Sequence, residues 1–229
     1  MDLAGVTLVT FDCFGTLIDW EMGILRAVRP LLPRTFPDEQ VLALYAKIER
    51  EVEGEAYRSY REVLAEVMRR IGRDLGRAVG PGDAKQLAGS LATWAPFGEV
   101  PAMLAAIKAR AKVGVISNVD HDLFEPIAAK LGVELDLLVT AEDVRAYKPS
   151  EAPFRRAMEL AGKMGIKPGA MLHAAESRFH DIEPASRLGL KTAWVNRGLG
   201  RPGATPVVAA KADLEVRNLR ELAAALGAA

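Results

Sequence analysis

Cysteine is almost absent: Cys13 stands alone in 229 residues. One thiol forms no internal disulfide framework and supplies no cysteine-rich zinc site. Histidine is scarce as well, and His121, His173 and His180 lack zinc-finger or metalloprotease spacing. They read as structural or exposed. Neither charge sign is in excess, with 30 basic and 30 acidic residues and no block of one sign. No long-range field draws a polyanion, so nucleic acid is not an expected partner. No apolar run approaches the ~18 residues of a membrane span. The opening MDLAGVTLVTFDCF has no basic segment followed by a long apolar run, so no signal peptide is expected. No membrane partner is expected, the expected location is cytoplasmic, and a homodimer is left open.

Apolar residues, by contrast, make up half of the chain, enough for a sizeable core. Short apolar runs at Leu8–Phe11, Val113–Ser117, Leu137–Thr140, Met171–Ala174 and Thr192–Val195 read as buried strands. Helical patterns at Leu123–Leu131, Ala152–Met164 and Ile182–Leu188 separate several of them. This alternation predicts an α/β fold, a doubly wound parallel sheet with helices on both faces. Ligands of such sheets bind beyond the carboxyl ends of the strands. Asp12, Ser117 and the segment after Ala174 all fall there.

Residues 18–94 have no strand signal. Val41, Leu44, Tyr45, Ile48 and Val52 form one helical stripe. Tyr60, Val63, Leu64, Val67, Met68 and Ile71 form another, and Ala84, Leu87, Ala88 and Leu91 a third. The expected division is a core of residues 1–17 and 97–229 with a small all-helical unit, 18–96, inserted after the first strand. The segment 201–216 reads as a loop with an edge strand, and Leu219–Leu226 as a closing helix.

Four pieces line up at strand ends: Asp12 with Thr16, Ser117 with Asn118, Lys148 with Pro149, and AESRFHD at 175–181. The ordered set resembles the haloacid dehalogenase-like hydrolases over nearly the whole chain, and the helical insertion resembles that family's small cap. The resemblance implies an enzyme acting on a small molecule. Chemistry supplies similar roles. Asp12 is the candidate nucleophile, since a carboxylate can form an ester that water later cleaves. Lys148 keeps that carboxylate charged, and Asp181 orients Lys148. Ser177 joins these as a catalytic candidate. Thr16, Ser117 and Asn118 are candidates for holding a substrate anion, with Phe14 and Glu176 beside them. Cys13 should face away into packing, because adjacent strand residues point to opposite faces.

Phe14 separates the branches of the family. Its phosphatases carry an aspartate two residues after the nucleophile, to protonate the leaving alcohol. A phenyl ring cannot do so, and a halide needs no proton. DCFGT is similar to the dehalogenase branch, whose chemistry needs no metal or other cofactor. The implied reaction is cleavage of the carbon–halogen bond of small 2-halo acids through an aspartyl ester. The alternative is a Mg²⁺-dependent phosphohydrolase acting on a small phosphorylated metabolite or acyl phosphate, with Glu176 and Asp181 sharing the ion with Asp12. A third reading is a non-catalytic binding module. Relative to the dehalogenases, Phe154 stands where they carry a tyrosine, and they lack the acid at Glu176. Arg50, Arg58 and Arg61 are the candidates for their halide-binding arginine.

Overall fold

The computed structural model describes residues 3–33, 35–198 and 208–228. Six strands form one parallel sheet: β1 (Leu8–Phe11), β2 (Lys112–Ser117), β3 (Leu137–Thr140), β4 (Met171–Ala175), β5 (Lys191–Val195) and β6 (Leu214–Val216). Their spatial order is β3-β2-β1-β4-β5-β6. The chain winds outward from β1 through β2 to β3, then returns to the other side of β1 for β4 to β6. The crevice therefore opens between β1 and its two neighbours, where Phe11 is level with Val115 and Ala174.

Period-two alternation sends the strand residues to two cores. Leu8, Ile116, Val139 and Met171 pack on Phe154, Ala157 and Ala161 of one helix, Ala152–Lys163. Val9, Phe11, Val115 and Ala174 face the other way, in a cluster with Leu104, Phe124 and Leu222 of the helices Val100–Lys108, His121–Ala128 and Leu219–Ala225. Helices thus cover both faces, as the alternation predicts. The closing helix and an edge strand lie as expected; Arg201 to Val207 of the expected loop lie outside the described residues. Two helix boundaries differ from the pattern. The expected Leu123–Leu131 helix stops at Ala128, and Gly132 (φ 74°) turns the chain after it. The expected helix at Ile182 is preceded by a π turn, Arg178–Ile182.

Between β1 and the helix Val100–Lys108 run four more helices: α1 (Trp20–Val28), α2 (Asp38–Glu53), α3 (Tyr60–Asp74) and α4 (Pro81–Ser90). The three apolar stripes lie in α2, α3 and the run α4 to Thr93. The helix α1 lies outside those three stripes, and Trp20, Ile24, Ala27 and Val28 are on its buried face. Two connectors join the insertion to the sheet, side by side. Asp19 N–H donates to the Ala95 carbonyl and Phe97 N–H to the Leu17 carbonyl, both at 3.0 Å. Gly23 lies flat on the Trp94 indole; a Cβ there would come within 2.2 Å of the ring.

A core carboxylate caps an inserted helix. Asp120, buried just after β2, accepts the N–H groups of Tyr60 (2.8 Å) and Arg61 (2.9 Å) at the start of α3. Four N–H groups at a helix start have no intrahelical partner, and an acid satisfies them well. Ser59 and Glu62 complete that terminus as a reciprocal capping box.

Candidate active site

Asp12 follows β1, and its N–H still donates to the Ala174 carbonyl of β4 (3.1 Å), so the backbone is held as firmly as the strand. Cys13 points the other way, into the apolar cluster. Burial pushes its thiol well up, with Asp12 adding to the effect. Gly15 then turns the chain with φ 83°, and a Cβ there would meet the Trp20 indole nitrogen at 2.8 Å. Glycine is required on both counts.

Around Asp12 runs a continuous chain of hydrogen bonds. Lys148 Nζ donates to Asp12 Oδ1 (2.7 Å), Asp181 Oδ1 (2.6 Å) and the Ile116 carbonyl (3.0 Å). Thr16 Oγ1 donates to Asp12 Oδ2 (2.8 Å) and accepts the Glu176 N–H (2.9 Å). His173 Nε2 lies 2.9 Å from Asp181 Oδ1, and its Nδ1 lies 3.0 Å from the Thr10 hydroxyl. A carboxylate only accepts, so Nε2 carries the hydrogen of that contact, and the Thr10 hydroxyl also reaches the Leu172 carbonyl (3.4 Å). Lys148 itself is located by Asn118, whose Oδ1 accepts the Lys148 N–H (2.8 Å).

The protonation states follow from burial set against these partners. Burial tends to lower Lys148, but Asp12 and Asp181 outweigh it and hold the ammonium above its ordinary range. Asp181 is held below the ordinary carboxyl value: burial would raise it, and Lys148 and His173 win. Asp12 goes the other way, its burial and the charge of Asp181 outweighing Lys148 and Thr16. Lys148 does act on Asp12 in the expected direction, toward the charged form, but burial and Asp181 outweigh it.

Asp12 opens on a cavity of about 50 Å³ lined by Phe14, Trp20, Glu49, Glu53, Tyr60, Asn118, Lys148, Ser177, His180 and Asp181. A water needs roughly 10–15 Å³ on this measure, so a substrate of few atoms fits. Phe14 stacks on Tyr60 (6.3 Å between centroids) and meets Trp94 edge-on (5.7 Å), closing the apolar side. His180 enters through the π turn. Its N–H donates to Ser177 Oγ (3.0 Å), and its Nδ1 lies 3.1 Å from the same atom. Burial lowers this imidazole to about 4, so it is neutral at pH 7.

Six of the expected site residues line the cavity or supply its central ions: Asp12, Phe14, Asn118, Lys148, Ser177 and Asp181. Three differ in placement. Thr16 is fully buried and spent on Asp12 and Glu176, so it positions Asp12 and does not face the cavity. Ser117 is buried with no partner for its hydroxyl, and its side chain lies outside the cavity lining. Glu176 turns its side chain into a second cavity, about 360 Å³, shared with Asp19, Trp20 and Arg197. Trp20 walls off one cavity from the other.

The insertion contributes what the sequence reading did not name. Glu49 Oε1 accepts the hydroxyls of Tyr45 (2.6 Å) and Tyr60 (2.8 Å). Glu53 Oε1 lies 3.5 Å from the Asn118 amide nitrogen, across the cavity. Burial raises both carboxyls, Glu53 strongly, with Glu49 adding to it. The expected halide arginine is not among the lining residues: Arg50 is exposed, Arg58 pairs with Glu55 and Arg61 with Asp122. The residues for Mg²⁺ do not converge either. Lys148 Nζ sits between Asp12 and Asp181, Glu176 faces elsewhere, and no metal-binding group of three acids, histidines or cysteines occurs among the described residues.

The model of the family described as "haloacid dehalogenase-like hydrolase" matches residues 6–189. The chain belongs to the haloacid dehalogenase-like hydrolases. It is therefore a hydrolytic enzyme, and the resemblance seen in the four motifs holds. This hydrolase is 26% identical to the (S)-2-haloacid dehalogenase of Pseudomonas sp. strain YL, over 93% of this chain and 90% of the relative. It is 26% identical to (S)-2-haloacid dehalogenase H-109 of Pseudomonas putida, over 93% and 95%. The L-2-haloacid dehalogenase of Xanthobacter autotrophicus, solved with chloropropionic acid covalently bound, shares the fold with a TM-score of 0.78 at 18% identity, over 95% of this chain and 96% of that one.

Proposed function

We propose that this hydrolase cleaves the carbon–halogen bond of a small 2-halo acid or a close derivative through an ester on Asp12. The observation that carries the reading is the pairing of Asp12 with Phe14 on one small cavity. The nucleophile is present, and an aromatic ring stands where an alkoxide leaving group would need a proton. The names of the full-length relatives point the same way.

In the first step a carboxylate oxygen of Asp12 bonds to the α-carbon, and halide leaves with the bonding pair. In the second, water adds to the carboxyl carbon of the ester, one of its protons passes to the leaving alcohol oxygen, the other is released to solvent, and the Asp12 carboxylate returns. Lys148 balances the charge in both steps. Neutral His180 on the cavity wall supplies a nitrogen to hold the water. Residues 18–96 act as a cap on a core of 1–17 and 97–229, turning about the paired connectors, and the site needs no metal for this chemistry.

Turnover of 2-chloropropionate in H₂¹⁸O tests the ester. One labelled oxygen should enter the Asp12 carboxyl and be found by mass spectrometry of its peptide. Label in the product alone, after a single turnover, would remove Asp12 as the nucleophile.

A further inference from the structure

The cavity facing Asp12 holds many acceptors, and its donors are largely spent. An ammonium has three hydrogens, and those of Lys148 go to Asp12, Asp181 and the Ile116 carbonyl. The amide hydrogens of Asn118 face the Lys148 carbonyl (3.2 Å) and Glu53. Tyr60 donates to Glu49. Ser177 and His180 hold two hydrogens between them, and the contact of Ser177 Oγ with His180 Nδ1 uses one. Thr16, a candidate for gripping a substrate anion, has given its hydrogen to Asp12.

The acceptors are less well served. Asp181 is 1% exposed and lines the cavity, yet its Oδ2 is buried without a hydrogen-bond partner. Such an atom is costly in a folded protein and marks a place for a ligand's donor. Opposite stands Glu53, whose long contact to Asn118 is easily replaced. A substrate carboxylate would join Asp12, Asp181, Glu49 and Glu53 with Lys148 as the one cationic side chain lining the cavity. Like charges brought together without a new partner oppose binding. A proton held by Glu53 reduces that repulsion and adds one O–H donor, but it brings no positive charge to match the substrate's.

We propose that the cavity selects the neutral amide of a 2-halo acid over the free acid, with Asp181 Oδ2 and the Glu53 carboxyl as the acceptors that set this preference. The inference rests on the Asp12 ester reading and narrows its substrate class. The chemistry at the α-carbon is unchanged: the Asp12 oxygen–carbon bond forms, the carbon–chlorine bond breaks, and chloride leaves with the pair. The amide hydrogens stay on nitrogen and fill the two acceptors.

The test compares 2-chloropropionamide with 2-chloropropionate, which have the same heavy-atom skeleton and differ by NH₂ against O⁻. The wild-type kcat/KM for chloride release should favour the amide by about tenfold or more, the scale of one unpaired polar contact. Glu53→Gln, which presents a donor to the cavity, should bring the ratio to within about threefold of unity, chiefly through KM. Quenching of tryptophan fluorescence by unreactive propionamide and propionate reads the same preference in the unmodified enzyme, independent of any variant. A wild-type preference for the carboxylate, with an Asp12 ester formed from it, overturns the amide inference and leaves the ester reading standing. Absence of an Asp12 ester from both compounds overturns the ester reading, and the inference with it.

Discussion

The sheet and the inserted helices each bring two acids to one cavity, and treat them differently. On the sheet side, Asp12 and Asp181 share Lys148, and every neighbour of that lysine is a fixed acceptor. On the helical side, Glu49 and Glu53 meet two tyrosines and an asparagine, with no cation. The first arrangement stores charge for a reaction. The second places buried carboxyls whose proton content is set by burial. On the proposed reading the sheet side carries the reaction and shares selection, through Asp181, with Glu53 of the helical side, and substitutions can separate the two contributions.

The largest effect should come from the sheet side. Asp12→Asn should lower chloride release by about a thousandfold or more while the protein stays folded, since a neutral amide is a poor nucleophile. Retention of a tenth of the activity would end the separation proposed here. Lys148→Met should cost stability as well, about 3–5 kcal/mol by urea unfolding, because two buried carboxylates lose their shared cation. An unchanged unfolding midpoint would show that the network rearranges freely.

Smaller effects should come from the contacts that join the two parts. Asp120→Ala leaves the first N–H groups of α3 without their acceptor and should cost about 1–2 kcal/mol. Its kinetic signature should be a raised KM with the Asp12 ester still formed. Tyr60→Phe removes one of the two hydroxyls on Glu49 and should cost about 0.5–1.5 kcal/mol, with a change in substrate preference exceeding the change in kcat.

The smallest effect concerns protons. His180 binds its proton near pH 4 when folded and near its ordinary 6.5 when unfolded. The unfolded chain is therefore the better proton binder between those values. The His180 contribution is complete above about pH 6.5 and declines as pH falls toward 4. Thermal melts from pH 7 to 4.5 should show a shallower decline for His180→Gln than for the parent. Identical slopes would mean that the ring titrates normally.

Reading the chain alone recovered the sheet side well, because its signals are local. Apolar runs end at Asp12 and at Ser117 with Asn118, while Lys148 and Asp181 stand in the segments that follow β3 and β4. Asp181 and His173 belong to one network, but their contact depends on the π turn, which no spacing rule announces. Three of the four helices of the insertion were equally clear, while their part in the cavity was not. Glu49 and Glu53 follow Tyr45 at intervals of four, beside the stripe of Ile48 and Val52. An acid so placed is usually a solvated flank, and only its juxtaposition with Asn118 and Tyr60 gives it meaning. That pattern of tyrosine, glutamate and glutamate one turn apart was the signal available. Arg50 and Arg61 lie on solvated helix faces, the ordinary place for such residues, and Arg58 pairs with Glu55 between two helices. Arg50 is next to Glu49 in sequence, but about 100° around the helix from it.

Asp120 has a consequence for anyone who would exchange parts between such enzymes. Its carboxylate is 4% exposed and is matched to two amides of a helix that belongs to the insertion. A foreign insertion spliced at the two connectors would inherit that acid. Unless it brought a helix start to the same point, the graft would bury an unanswered negative charge three residues from Ser117. The sheet thus specifies one feature of any replacement before its sequence is chosen. A transplant should succeed more often when Asp120 is changed with it, to match the donor's own residue at that place.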